Sequence, residues 1–434
     1  MLSIFPFRQS INTSITIPGS KSDTNRALVL ASLSDGVSIL NGISQSDDSM
    51  LMIENLIKLG IKITEIDTKT LEVCGNGGNF KPFFGELNSG IAGTTSRFLA
   101  AICTLVPGEF VLNARGKMLD RPMKELLDGL ASLGSMFEFL GNPNCLPIRF
   151  ASESAISGGS VSLNGQVSSQ FFTALLLIAP VLANGLQIQV IGEQVSQSYI
   201  DMTQSILADF GIEMKNENYT QYIINSNQKL ISQPYQIQGD ASGCSYFWGI
   251  AALTESTVRI QNINPETTQG DIQFADILEK MGCRVVKNLD EKWIQVTGSK
   301  NLIAVDVNME NLPDTAQTLA VIAAFATGTT RITGLSTLKK KETDRLSALH
   351  TELKRINITT RIGEDWIEID GGKPIGTTIE TYHDHRMAMS FTIAGCKIQG
   401  ITIQNPEVVS KSFPDFWDKL SSLGIETRVT TQYE

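Results

Sequence analysis

At 434 residues the chain is too long for one hydrophobic core, so two domains are expected. Its 42% hydrophobic and 18% charged residues are those of an ordinary globular protein. The formal net charge of −10 argues against a nucleic acid or a membrane surface as partner, because either favours a basic face.

The first residues, Met-Leu-Ser-Ile-Phe-Pro-Phe-Arg, hold no basic region followed by a long apolar run, so no signal peptide is expected. An alternating strand, Ile11 to Ile17, ends at Pro18. The stretch Pro18-Gly-Ser-Lys-Ser-Asp-Thr-Asn-Arg-Ala27 then forms a small-residue loop, and an apolar helix begins near Arg26. A strand that stops in Gly and Ser and opens a helix leaves unpaired N–H groups at the helix's positive end, a ready anion site. Lys21 adds a point charge, Arg26 a planar fork, and Ser20 and Ser22 hydroxyl donors. A capped surface helix reads the same way in isolation. What favours the anion site is repetition.

The pattern Leu-x-x-apolar-Gly occurs at Leu56–Gly60, Leu130–Gly134, Leu207–Gly211, Leu278–Gly282 and Leu420–Gly424, and a further copy, Leu353–Asn357, ends in Asn. Leucines three apart face a core and a left-handed residue stops the helix, a place that Gly fills best and Asn next. β patterns follow each stop, for instance Ile61-Lys-Ile-Thr with Leu71-Glu-Val-Cys. Strongly apolar helices precede, at Ala27–Leu33, Phe98–Leu105, Phe171–Ile178, Phe247–Leu253, Leu319–Ala326 and Met387–Ala394. The unit is strand–helix–strand–helix–strand–strand, six times over, in an α/β chain. Helices apolar nearly all round should be buried with sheets outside them. The grouping is three units per domain, with the boundary near Asp240, and the N-terminal residues are expected to close the last unit. The longest apolar stretch, Phe171 to Ala183, contains Thr173 and Pro180 and is too short to span a bilayer.

All six helix-opening loops are rich in Gly, Ser, Thr and Asp, and Arg26, Arg97 and Arg386 stand at three of the helix starts. Three more cations, Arg121, Arg345 and Lys411, lie at or just before other helix starts, where they oppose the dipole. A bound anion resolves that conflict. The six cysteines (74, 103, 145, 244, 283 and 396) are scattered, with no Cys-x-x-Cys pair, and read as core residues in a reducing compartment. With only His350, His383 and His385 present, no His-rich metal site is expected.

In motif order, the chain reads Pro18-Gly-Ser-Lys-Ser, Ala92-Gly-Thr with Arg97, Asp120-Arg-Pro, Val167-Ser-Ser-Gln-Phe, Val195-Ser-x-x-Tyr199 and Gly239-Asp-Ala-Ser. It continues with Leu312-Pro-Asp, Lys341-Glu-Thr-Asp-Arg345, Asp384-His-Arg and Ser410-Lys-x-Phe-Pro-Asp415. Over essentially its whole length it resembles the 5-enolpyruvylshikimate-3-phosphate (EPSP) synthase family of enolpyruvyl transferases. The resemblance implies a two-domain inverse α/β barrel-like fold of six βαβαββ repeats, with the active site in the interdomain cleft. It implies a first domain, 20–239, that mainly binds shikimate 3-phosphate. A second, 1–19 plus 240–434, would supply Asp314, Glu342 and the cations for phosphoenolpyruvate. The implied reaction joins phosphoenolpyruvate to the 5-hydroxyl of shikimate 3-phosphate through a tetrahedral intermediate and releases phosphate, in the shikimate pathway to chorismate and the aromatic amino acids. No metal or organic cofactor is implied. The expected protein is a cytoplasmic monomer.

By motif match, phosphoenolpyruvate is expected on Lys21, Gly93, Arg121, Gln170, Arg345, Arg386 and Lys411. Shikimate 3-phosphate is expected on Lys21, Ser22, Arg26, Ser168, Ser169, Ser196, Tyr199, Asp314 and Lys341. Asp314 is the expected base and Glu342 the acid, with Lys21 sharing the hydroxyl-proton role. Ile91 stands where many members have Asn, and Thr337 four positions ahead of Lys341 where many have a polar residue, so particular substrate contacts depart from the pattern. Retention of Gly93 implies inhibition by glyphosate on the order of micromolar. Two other readings compete. The related UDP-N-acetylglucosamine enolpyruvyl transferases carry a reactive Cys before an Arg-Pro, and the segment before Arg121-Pro122 has none. A non-catalytic phosphometabolite binder would avoid two carboxylates in an anion pocket.

Overall fold

The computed structural model describes residues 1–7 and 9–430. The chain divides into two compact units, Gly19–Gln238 and Met1–Pro18 with Gly239–Glu434. Each unit holds three four-stranded sheets. In every sheet one outer pair is parallel and the other two pairings are antiparallel. The sixfold repeat of the sequence therefore appears as six sheets of one design.

Apolar helices fill the middle of each unit. In Gly19–Gln238 the helices Lys21–Leu33, Gly93–Cys103 and Ser169–Ile178 pack on one another. Their counterparts in the other unit are Ala241–Thr254, Ala316–Ala323 and His385–Lys397. Gly249 sits at such a crossing: a Cβ there would come 2.9 Å from Ile393 Cδ1 and 3.1 Å from Ile322 Cδ1. Each fully buried Leu, such as Leu28, Leu99 or Leu175, contributes about 2 kcal/mol of apolar transfer. The repeated helix stops are left-handed as expected: Gly60, Gly134, Gly211, Gly282 and Gly424 have φ from 82° to 101°, and Asn357 has φ 66°.

Three expectations need correction. The first helix begins at Lys21, not near Arg26, because Ser20 caps it by accepting from the Asp23 N–H at 3.3 Å. The polar residues Thr24, Asn25 and Arg26 are buried on that helix, so the apolar run alone misplaced its start. The strand expected over Ile11–Ile17 is shorter, Asn12–Ile15, and it does not serve the first repeat. It lies parallel to Thr257–Ile260 in the fourth sheet, while Pro234–Gln236 completes the first. The helix ends expected at Ala326 and Leu105 come early, at Ala323 and Cys103. Closure of the last repeat falls to Leu2–Ile4, which pairs with Thr402–Ile403 on one side and Thr427–Val429 on the other.

Candidate active site

In the unit Gly19–Gln238 the expected residues gather at helix starts. Lys21, the first residue of its helix, places Nζ 3.0 Å from Asp48 Oδ2. Thr95 donates to the Asp48 carbonyl at 2.7 Å, which joins this pair to helix Gly93–Cys103. At the start of that helix Arg97 Nη1 donates to the Gly93 carbonyl at 2.8 Å and to Gln170 Oε1 at 3.0 Å. Gln170 in turn donates to Thr94 Oγ1 at 3.3 Å. Arg121 closes the corner: a Cβ on Gly93 would meet its Nη1 at 2.6 Å and Arg97 Nη1 at 2.7 Å. Gly93, Arg121 and Gln170 are thus one group, and only a glycine lets both guanidinium groups approach the backbone.

Ser168 caps helix Ser169–Ile178 by accepting from the Gln170 N–H at 3.3 Å, with Ser169 as the helix's first residue. Ser196 caps Gln197–Asp209 with a left-handed backbone, φ 54°, and its carbonyl accepts from the Tyr199 N–H at 3.1 Å. Arg26 is buried and ties these elements together. It donates to Thr203 Oγ1 at 3.0 Å, to the Ser22 carbonyl at 2.8 Å, to the Tyr199 carbonyl at 3.2 Å and to Thr173 Oγ1 at 3.4 Å. Much of its fork is therefore engaged in holding Ser22 and Tyr199 in place.

The other unit brings together all the remaining expected residues. Asp314 lies in a 3₁₀ turn, Pro313–Thr315, and accepts from Arg345 Nη1 at 3.1 Å and from Arg386 Nη2 at 2.8 Å. Lys341 Nζ lies 3.6 Å from its Oδ1. Glu342 accepts from Arg345 Nη2 at 2.7 Å, with Lys411 Nζ 3.8 Å from its other oxygen. Arg345 also donates to Asp384, at 2.7 Å from Nε and 3.4 Å from Nη2. Asp384 meanwhile caps helix His385–Lys397 by accepting the Arg386 N–H at 2.8 Å, and Arg386 Nη1 donates to the Tyr246 hydroxyl at 3.1 Å. Burial alone would raise the Asp314 carboxyl, but Arg386, Lys341 and Arg345 together hold it well below the usual carboxylate range. Burial opposes the charge of Arg345 as well, and Asp384, Glu342 and Asp314 outweigh it and lift its pKa.

A family model for EPSP synthase (3-phosphoshikimate 1-carboxyvinyltransferase) matches residues 7–420. The chain belongs to the EPSP synthase family. The curated 3-phosphoshikimate 1-carboxyvinyltransferases of Colwellia psychrerythraea and Vibrio cholerae (strain M66-2) are both 40% identical to it over 419 residues, 95% of this chain and 97% of theirs. Among solved structures, an EPSP synthase from Acinetobacter baumannii is similar with a TM-score of 0.83 at 26% identity, covering 99% of both chains. The enolpyruvyl transferase NikO from Streptomyces tendae has a TM-score of 0.78 at 16% identity, covering 100% of this chain and 99% of its own, a likeness of fold alone.

Within this EPSP synthase family member, sequence reasoning gave no site role to four neighbours of the expected residues. Arg97 and Asp384 stood inside quoted motifs, and their places at helix starts were the available signal. Asp48 and Tyr246 reach Lys21 and Arg386 from distant segments, and nothing in the sequence marked them. Ile91, the hydrophobic departure, is 47% exposed. Thr337 has a buried hydroxyl with no hydrogen-bond partner among the described residues.

Proposed function

We propose that the chain transfers the enolpyruvyl group of phosphoenolpyruvate to the 5-hydroxyl of shikimate 3-phosphate and releases inorganic phosphate. One observation carries this reading: two carboxylates, Asp314 and Glu342, are held among Arg345, Arg386, Lys341 and Lys411. Such a cluster is suited to a doubly anionic donor and also to proton transfer. On this reading the unit Gly19–Gln238 mainly binds shikimate 3-phosphate, through Ser22, Arg26, Ser168, Ser169, Ser196 and Tyr199. Lys21, Gly93, Arg121 and Gln170 serve the donor from the same unit. The other unit supplies Asp314, Lys341, Glu342, Arg345, Arg386 and Lys411.

Asp314 is a poor base while three cations stabilise its charge. The carboxylate and phosphate of phosphoenolpyruvate compete for Arg345 and Arg386. When they take those donors, Asp314 regains basicity and accepts the 5-hydroxyl proton, a role Lys21 shares. Glu342 loses the same Arg345 bond, which lowers the cost of its neutral form and lets it deliver a proton to the methylene carbon. The hydroxyl oxygen bonds to the neighbouring carbon; the tetrahedral intermediate then gives a methyl proton back to Glu342 and expels phosphate as the carbon–carbon double bond re-forms. The protein is taken to act as a monomer in the cytoplasm, which agrees with six free cysteines, five of them buried. Among the described residues no helix is long and apolar enough to cross a membrane.

The test is phosphate release from phosphoenolpyruvate with shikimate 3-phosphate or UDP-N-acetylglucosamine as acceptor. Release with the first acceptor alone is expected. Release with neither, or only with the nucleotide sugar, overturns the assignment.

A further inference from the structure

Asp271 lies in a 3₁₀ turn, Gly270–Gln273, which packs against helix Ala241–Thr254 and against the turn that carries Asp314. It is 7% exposed, and its Oδ1 is buried with no hydrogen-bond partner among the described residues. The turn is pinned two residues earlier by Gln269, which accepts from the Ala241 N–H at 3.1 Å and donates to the Gly239 carbonyl at 2.8 Å. Four charged groups act on Asp271: Asp314, Arg386, Asp240 and Lys341. From helix Ala241–Thr254 the buried Cys244 thiol faces it too. A buried carboxylate with an oxygen that receives no donor is costly. Burial, then the charge of Asp314, push this carboxyl up to about 8, although Arg386 opposes them.

We propose that Asp271 is a positioning residue for the cations of the site, an uncharged acid that leaves Arg386 and Lys341 available to the anionic substrates. Its ionisation would place a second carboxylate beside Asp314 and hold those cations back from the substrates. This inference rests on the proposed reading of Arg386 and Lys341 as substrate-binding groups.

Two measurements on the full chain test it. For the wild type, kcat/KM should fall on the alkaline side with a midpoint near pH 8, roughly tenfold per pH unit beyond it. Asp271→Asn, which keeps the uncharged shape, should lose that limb, and an unchanged limb in the variant overturns the proposal. The second measurement is wild-type unfolding by urea across pH, which needs neither activity nor the variant. Since the folded pKa of Asp271 is raised from 3.8 to about 8, stability should fall as pH rises from about 6 to about 8 and level off beyond it, and a flat profile across that window overturns the proposal. If the wild type releases no phosphate, the proposed function fails, while the unfolding profile still decides the state of Asp271.

Discussion

Arg345 is 1% exposed and donates to Asp314, Glu342 and Asp384 at once, so its planar fork cannot be replaced by a point charge. Arg345→Lys keeps one positive charge but cannot bond Asp314, Glu342 and the fully buried Asp384 together, and a broken buried pair costs on the order of 3–5 kcal/mol. That variant should therefore lose both turnover and stability. Asp314→Asn and Glu342→Gln touch better-hydrated groups, 17% and 15% exposed. They should lower kcat roughly 10²–10⁴-fold while the chain still folds and unfolds cooperatively in urea. Wild-type kcat in either variant removes that residue from the mechanism. Gly93→Ala forces a Cβ against Arg121 Nη1 and Arg97 Nη1, both ends of flexible side chains, so the fold should survive. Its KM for phosphoenolpyruvate should rise more than its kcat falls, and an unchanged KM separates Gly93 from the donor. The cations of the site were legible in the sequence because they sit at helix starts, where a dipole makes them anomalous. Their carboxylate partners Asp48 and Asp384 were not singled out, because an acid near a helix start needs no ligand to explain it.

Helix ends show which features a local pattern can carry. The stops were legible because only Gly or Asn tolerates positive φ cheaply, and that chemistry needs no tertiary partner. At Gly60 a Cβ would meet nothing within 4 Å, so Gly60→Ala isolates the backbone penalty. Urea unfolding should show a loss of about 1–2 kcal/mol, less for Gly60→Asn. The first helix start was misread for the opposite reason: its polar residues are buried by contacts made elsewhere in the chain. Asp23 is the clearest of them, accepting from the Tyr235 hydroxyl at 2.9 Å and from the Gln238 N–H at 3.2 Å. Burial raises its carboxyl from 3.8 to about 6 despite those two donors. Because the folded value is the higher one, the stabilisation is complete below pH 3.8 and is lost as pH rises through 6. The loss is about 3 kcal/mol for that shift. Asp23→Asn should remove this slope from unfolding free energies measured between pH 4 and 7, and a slope equal to wild type would show that Asp23 is not its source.

At the scale of the whole chain, the repeat was legible and the strand exchange was only partly so. Period-two alternation identifies a strand but not its partner, and Asn12–Ile15 looks like the opening strand of the repeat that follows it. Its pairing with Thr257–Ile260 means that the unit Met1–Pro18 with Gly239–Glu434 draws two of its strands from the first eighteen residues. Leu2–Ile4 is an inner strand of its sheet, and a Cβ on Gly395 would lie 2.6 Å from Ile4 Cβ, so a buried helix packs directly on it. Leu2, Ile4 and Ile17 are all buried, and together they contribute about 6 kcal/mol of apolar burial before any ladder bond is counted. That is comparable to the whole net stability of a domain, typically about 5–15 kcal/mol. Every sheet of Gly19–Gln238, by contrast, is built from that unit's own strands. A fragment spanning 19–238 should therefore melt cooperatively with native near-ultraviolet circular dichroism, and a fragment spanning 239–434 should not. Joining residues 1–18 to the second fragment through a flexible linker should restore a cooperative transition. A cooperative melt of 239–434 alone would mean that the exchanged strands decorate a core that is already complete.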